Sequence, residues 1–325
     1  MKILFFTLIA GMLFLPLPLS AQNRTDTERV NVSLVDWFTS SNSSWEISDS
    51  GFDPTLGKYV SVRSRLDFDE TDSNVSIVGV KVKIVKPFYI NLSYGYGKIE
   101  DARVTDSDWI SVPEDSVYDS QFSESVSEGS GETRIFEAGG EYRLIRAGRP
   151  YSLSVYAGYL YYSDRLKMRN GVQTLSGSYF GVPPVGYQMT DLNSRYDFHW
   201  HILKTGVGGK IKSGRKIEFN GGLYFLNTLR YYGEAYWNLR VGEFRSKKPN
   251  FIHEADDGLG VETFINVTFL ISRWASISTG YRYFYLAAED GVDTTYYASG
   301  DVGKATLDRV EAERKGPYVR LDVKF

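Results

Sequence analysis

The last seven residues constrain this chain most. Val319, Leu321, Val323 and Phe325 fall on one side of a period of two, and Arg320, Asp322 and Lys324 on the other. A strand with an apolar face toward lipid and a charged face toward a lumen has this pattern. A half-buried strand of a soluble sandwich or lipocalin-like barrel alternates too, but such strands average about 5–6 residues. Several alternating segments here run 12 residues or more, enough to cross a membrane at a tilt and continue beyond it.

The start of the chain is a targeting segment. Lys2 supplies the positive end, Ile3 to Leu15 is an apolar run, and Pro16 and Pro18 break it. Leu19-Ser20-Ala21 is an acceptable cleavage end before Gln22. Residues 1–21 are therefore expected to be a signal peptide and 22–325 the working domain. No later stretch approaches the roughly 20 apolar residues a spanning helix requires. A membrane protein made from this chain must cross with strands.

Ten strand regions are expected: Val30–Trp37, Tyr59–Val85, one starting at Phe88, Arg134–Leu144, Tyr151–Tyr162, Asp197–Lys212, Lys216–Tyr232, Leu259–Ile271, Ala275–Leu286 and Arg309–Phe325. The connections alternate in length. Lys86-Pro87, residues 147–150, 213–215 and Arg273-Trp274 are tight turns; residues 98–133, 164–196, 233–258 and 287–308 are long segments. The reading is an all-β fold: a closed antiparallel transmembrane β-barrel of about ten strands in a bacterial outer membrane, with short periplasmic turns and long extracellular loops. Arg63, Arg65, Lys81 and Lys83 are expected to fill a narrow lumen against inward acids, which disfavours a channel or porin.

Chemistry is limited by what is scarce. The chain has no Cys and three His (His199, His201 and His253), too scattered for a zinc site, and no cofactor is expected. Removing the leader takes one Lys, leaving 36 basic residues against 40 acidic. No basic patch with interleaved aromatics invites nucleic acid. Charge follows topology: the tight turns hold Lys86, Arg146, Arg149, Arg215 and Arg273 without an acid, whereas residues 98–133 carry ten acids. An acidic outer mouth attracts cations and basic peptides. Arg165, Lys167, Arg169, Arg240, Lys247 and Lys248 suit lipopolysaccharide phosphate.

Thr105-Asp106-Ser107-Asp108-Trp109 stands at the outer end of the third strand. Spacing of two puts both carboxylates on one face if the strand persists that far. Two close carboxylates cannot both ionise cheaply, and such a pair can hold and polarise a water.

Val104-Thr105-Asp106-Ser107-Asp108-Trp109 resembles the Val-Asp-x-Asp-Trp segment of the omptins, ten-stranded outer-membrane proteases. Arg65-Leu66-Asp67-Phe68, Ser154-Val155-Tyr156-Ala157-Gly158-Tyr159 and Phe219-Asn220-Gly221-Gly222-Leu223-Tyr224 resemble pieces of the second, fifth and seventh omptin strands. The resemblance implies a water activated between an Asp pair and an Asp–His pair, with lipopolysaccharide as a bound activator. Asp106 and Asp108 match the Asp pair. The fourth-loop Asp-x-His does not appear: Tyr232 to Asn238 holds neither residue. Asp197-Phe198-His199, at the outer start of the sixth strand, is the nearest substitute, and His253 to Asp257 is another. The expected function is an omptin-like barrel that binds at the cell surface, catalytically divergent. Its expected partners are lipid, lipopolysaccharide, basic peptides or surface proteins. A surface endopeptidase acting on basic peptides is the alternative, and a narrow channel the second.

Overall fold

The computed structural model describes residues 29–325 except Thr55, residues 145–150 and Val241. The expected signal peptide and the turn at 147–150 lie outside the described residues. The strands are β1 (Val30–Asp53), β2 (Lys58–Val85), β3 (Phe88–Val112), β4 (Val117–Arg143), β5 (Tyr151–Ser176), β6 (Gln188–Met189), β7 (Ser194–Ser213), β8 (Ile217–Tyr236), β9 (Phe251–Ala255), β10 (Gly258–Leu270), β11 (Ala275–Tyr296) and β12 (Val302–Lys324). Apart from the two-residue β6, which pairs with β5, they run antiparallel in one ring. β12 pairs with β1, and β8 pairs with both β9 and β10. β9 and β10 are two halves of one wall position interrupted at Asp256-Asp257. The ring therefore has ten wall positions. It closes at the periplasmic end, where the Arg29 amide donates to the Phe325 carbonyl (2.8 Å) and the Phe325 amide to Val30 (2.8 Å).

Two expected loops are mostly strand. β3 and β4 continue through residues 98–133 and meet at a tip of four residues, Pro113–Ser116. β11 and β12 take up most of 287–308, while β5 and β7 take up about half of 164–196. Local alternation weakens there because polar residues stand on both faces, but ladder pairing with neighbours holds the extended backbone. A 28-residue strand such as β2 far exceeds the roughly 9–11 residues a membrane crossing needs. The surplus rises outside the membrane.

Below, the outer face is apolar: Val78, Ile84, Ile90, Leu92, Leu153, Val155, Val207, Ile211, Ile265 and Phe269 are exposed to lipid. Above, the polarity inverts. Leu66, Phe68, Trp200, Ile202, Leu226, Leu286 and Trp37 pack inside into one core, and charged residues stand outside. This corrects the expected place of Arg63 and Arg65. They lie on the outer wall, where Arg63 covers the Trp109 ring at 4.2 Å and Arg65 pairs with Asp67 at 2.8 Å. Lys81, below the inversion, does face the lumen and meets Glu141 at 2.5 Å.

Two ionic networks are embedded in this interior. Arg314 reaches Asp164 (3.3 Å), Thr39 (3.0 Å) and Ser73 (2.7 Å). Lys204 lies 3.0 Å from both Glu137 and Glu262, and Arg282 meets Glu262 at 3.1 Å. Every charge has a partner, as burial in a low-dielectric interior demands. The core and these networks fill the barrel at mid-height.

Candidate functional site: a carboxyl pair in the outer mouth

Parity decides where the carboxylates point. In the lower part of β3 the even residues Ile90, Leu92 and Tyr94 face lipid, while Tyr89 and Ile99 are buried inside. The pairing of β3 with β4 slips between Ile99 and Ala102, with one more residue on β3 than on its partner. Such a bulge reverses which parity faces inward. Above it Val104, Ile110 and Val112 are the buried residues, and Asp106 and Asp108 share their side of the strand. Unbroken alternation from Phe88 would have aimed both carboxylates outward.

Asp108 stands opposite Ser64 on β2 and Ser123 on β4, and Asp106 opposite Leu66 and Ser125. Ser64 and Ser123 hydrogen-bond to Asp108. The pair lies between the central core and a second apolar cluster at the tip, built from Val60, Ile110, Val112 and Phe122. Loss of water and the neighbouring Asp108 charge push the Asp106 carboxyl up to about 8, against the opposing pull of Arg240. Burial raises Asp108 as well, while its serine hydrogen bonds and Arg240 work the other way. The two titrate as a unit, so at neutral pH the pair retains a proton.

Asp197 and His199 share a face, as their spacing requires, but it is the outer face of β7. Asp197 lies 3.1 Å from Arg195 and 3.4 Å from Arg165. His199 stacks on Tyr161 (5.8 Å) and packs against Tyr232 (5.2 Å) and His201 (5.2 Å). The Tyr159 hydroxyl is 2.6 Å from His201 Nδ1. These rings form part of an aromatic girdle above the lipid-facing belt. The wall itself separates them from Asp106 and Asp108, because the strand parity that turns Trp200 and Phe198 inward turns them out.

The third histidine faces inward. His253 belongs to β9 rather than to a loop and is 1% exposed. Its Nδ1 is 2.8 Å from the Tyr196 hydroxyl, and its Nε2 is 3.2 Å from Asp293 Oδ1 on β11. Asp293 is equally sealed and accepts a bond from Thr295 at 2.8 Å. Trp45 places the edge of its ring against His253, centroids 5.0 Å apart. Along the wall, Trp45 stands opposite Leu66, which stands opposite Asp106, so one strand separates the indole from the carboxyl pair. Sequence reading named His253 but missed its acidic partner. The two lie 40 positions apart and only strand pairing unites them. Among the described residues no group of three or more His, Asp or Glu is arranged to hold a metal.

A closed ring of ten wall positions, an apolar outer belt and an aromatic girdle define an integral β-barrel of the bacterial outer membrane. Residues 42–322 match the model of the Protochlamydia outer membrane protein family, and the chain belongs to that family. No curated protein matches it. Among solved structures it is similar to the outer membrane protease OmpT from Escherichia coli. That match has a TM-score of 0.71 at 12% identity and covers 94% of this chain and 99% of that one. The translocator domain of the autotransporter NalP from Neisseria meningitidis aligns with a TM-score of 0.38 at 11% identity, covering 100% of this chain and 95% of that one. At such identities the first likeness speaks for the fold alone.

Proposed function

We propose that this protein is a surface-exposed binding barrel, catalytically divergent from the proteases of its fold, that takes basic peptide segments at its outer mouth. The observation that carries the reading is the commitment of all three histidines. Water activation by a carboxyl pair and a histidine requires the imidazole within hydrogen-bond reach of the water. His199 and His201 stand on the outer wall, and His253 has a polar partner at each ring nitrogen and almost no exposed surface.

The carboxyl pair is suited to binding. An incoming guanidinium or ammonium replaces the retained proton and converts a costly buried pair into a compensated one. Affinity then rises as pH increases toward and through 8, and binding releases a proton. Lipopolysaccharide belongs to the same reading as a surface ligand, with Arg165, Lys167 and Arg169 on the outer face of β5 as its phosphate contacts.

The test uses refolded barrel with lipopolysaccharide and a fluorogenic Arg-Arg peptide. Binding without turnover is expected, weakened about tenfold or more in Asp106→Asn/Asp108→Asn, the loss of a charge-assisted contact. Turnover that disappears in Asp108→Asn would replace this reading with an endopeptidase. The filled interior also predicts no ion conductance in planar bilayers.

A further inference from the structure

Beneath the core lies a second chamber, at the periplasmic end and far from the mouth. It encloses about 530 Å³ and is bounded by the lower inner faces of the strands. That volume falls within the range of small-molecule sites, roughly 300–1,000 Å³. The chamber is a blind vestibule, because the apolar core closes its upper end.

Its charge runs against that of the molecule. The chain as a whole carries −3. Among the described residues lining the vestibule, seven are basic and four acidic, an excess of three positive charges. The acids are consumed by neighbours: Glu141 by Lys81 (2.5 Å), Glu218 by Lys210 (2.8 Å), Asp322 by Arg320 (2.7 Å) and Glu137 by Lys204 (3.0 Å). Arg29 and Arg143 add positive charge toward the opening, and Lys212 shares Glu218 with Lys210 at 3.7 Å, two cations to one acid. Arg143 is held over the Tyr89 ring at 4.6 Å, which fixes its guanidinium without neutralising it.

The remaining lining is rich in two-way hydrogen-bonding groups, including Asn31, Asn91, Asn220 and Ser93. The Asn31 amide donates to Asp322 (2.9 Å), which orients its side chain at the lining. Amide and hydroxyl groups that donate and accept match the hydroxyls and acetamido groups of amino sugars. The surplus cations match a carboxylate.

We propose that the periplasmic vestibule binds a short anionic glycan of the cell-wall type: amino-sugar rings bearing a carboxylate, about two rings long. The site would hold the barrel to the wall polymer or its fragments from beneath, independently of what binds at the mouth.

Isothermal titration of the refolded full chain with a soluble N-acetylglucosaminyl-N-acetylmuramyl peptide, and with neutral di-N-acetylchitobiose, tests this. The anionic probe is expected to bind more tightly than the neutral one. Arg143→Gln should weaken it about tenfold, Arg143→Lys less, and Asp108→Asn not at all. Arg143→Gln should leave basic-peptide binding at the mouth unchanged, which shows that the variant is folded. Absence of binding, equal affinity for both probes with no effect of Arg143→Gln, or loss in Asp108→Asn alone would each overturn the proposal.

Discussion

The lower and upper parts of the same wall solve opposite problems. Below, lipid lies outside and the polar vestibule inside, so Ile90, Leu92 and Tyr94 face out while Lys81 and Glu141 face in. Above, water lies outside, and Leu66, Phe68 and Val104 face in while Arg63 and Arg65 face out. The strand backbone is continuous, and only its surroundings change. On β5 and β7 the inversion is written by composition alone: inward Ser152 and Ser154 give way to Leu160, Leu166 and Met168 at unchanged parity. On β2 and β3 register shifts at Asp69–Ser73 and Ile99–Ala102 reverse the parity as well. The lesson is that apolar alternation reports a buried or lipid-facing side but not which of the two.

The comparison can be broken at the bulge. Deleting Glu100 removes the surplus residue of β3, so the upper strand must either expose Val104, Ile110 and Val112 or lose its pairing. Loss of carboxylate-dependent peptide binding is expected, with the lower barrel still resistant to detergent on an unheated gel. Retained binding would show that the bulge does not aim Asp106 and Asp108.

Smaller changes sharpen the contrast. Phe68→Ala empties part of the upper core and should cost about 3–5 kcal/mol in urea unfolding. Leu92→Lys puts a charge on the lipid face and should cost about 2–4 kcal/mol in vesicles. Thr105→Lys, on the water-facing side of the same strand, should stay within about 0.5 kcal/mol. Equal costs for the two lysines would mean that the membrane boundary is misplaced.

The gentlest probe is pH. Burial and Asp108 raise the Asp106 carboxyl above its unfolded value, so its favourable contribution is complete at low pH. That contribution is lost as pH rises through about 8. Stability should therefore fall from the ordinary carboxylate value up to about pH 8 and level off above it, and Asp106→Asn should flatten the fall. A curve steeper in the variant than in the parent would contradict this sign.

The carboxyl pair was visible in the sequence because spacing of two guarantees a shared face, and Asp106 and Asp108 do share one. Asp197 and His199 share one for the same reason, yet they stand on the other side of the wall. The His253–Asp293 contact left no local trace, since neither residue has its partner within reach along the chain.

By itself the sequence determined a wall of ten strand positions, its lipid-facing belt and the meeting of its two ends, because these follow from period-two patterning and from the exclusion of unpaired backbone from lipid. Only the tertiary structure decided which carboxylates look inward, which histidine is sealed, and that a core divides the lumen into mouth and vestibule. Those outcomes depend on inter-strand register, and a slip of one residue reverses every side chain beyond it.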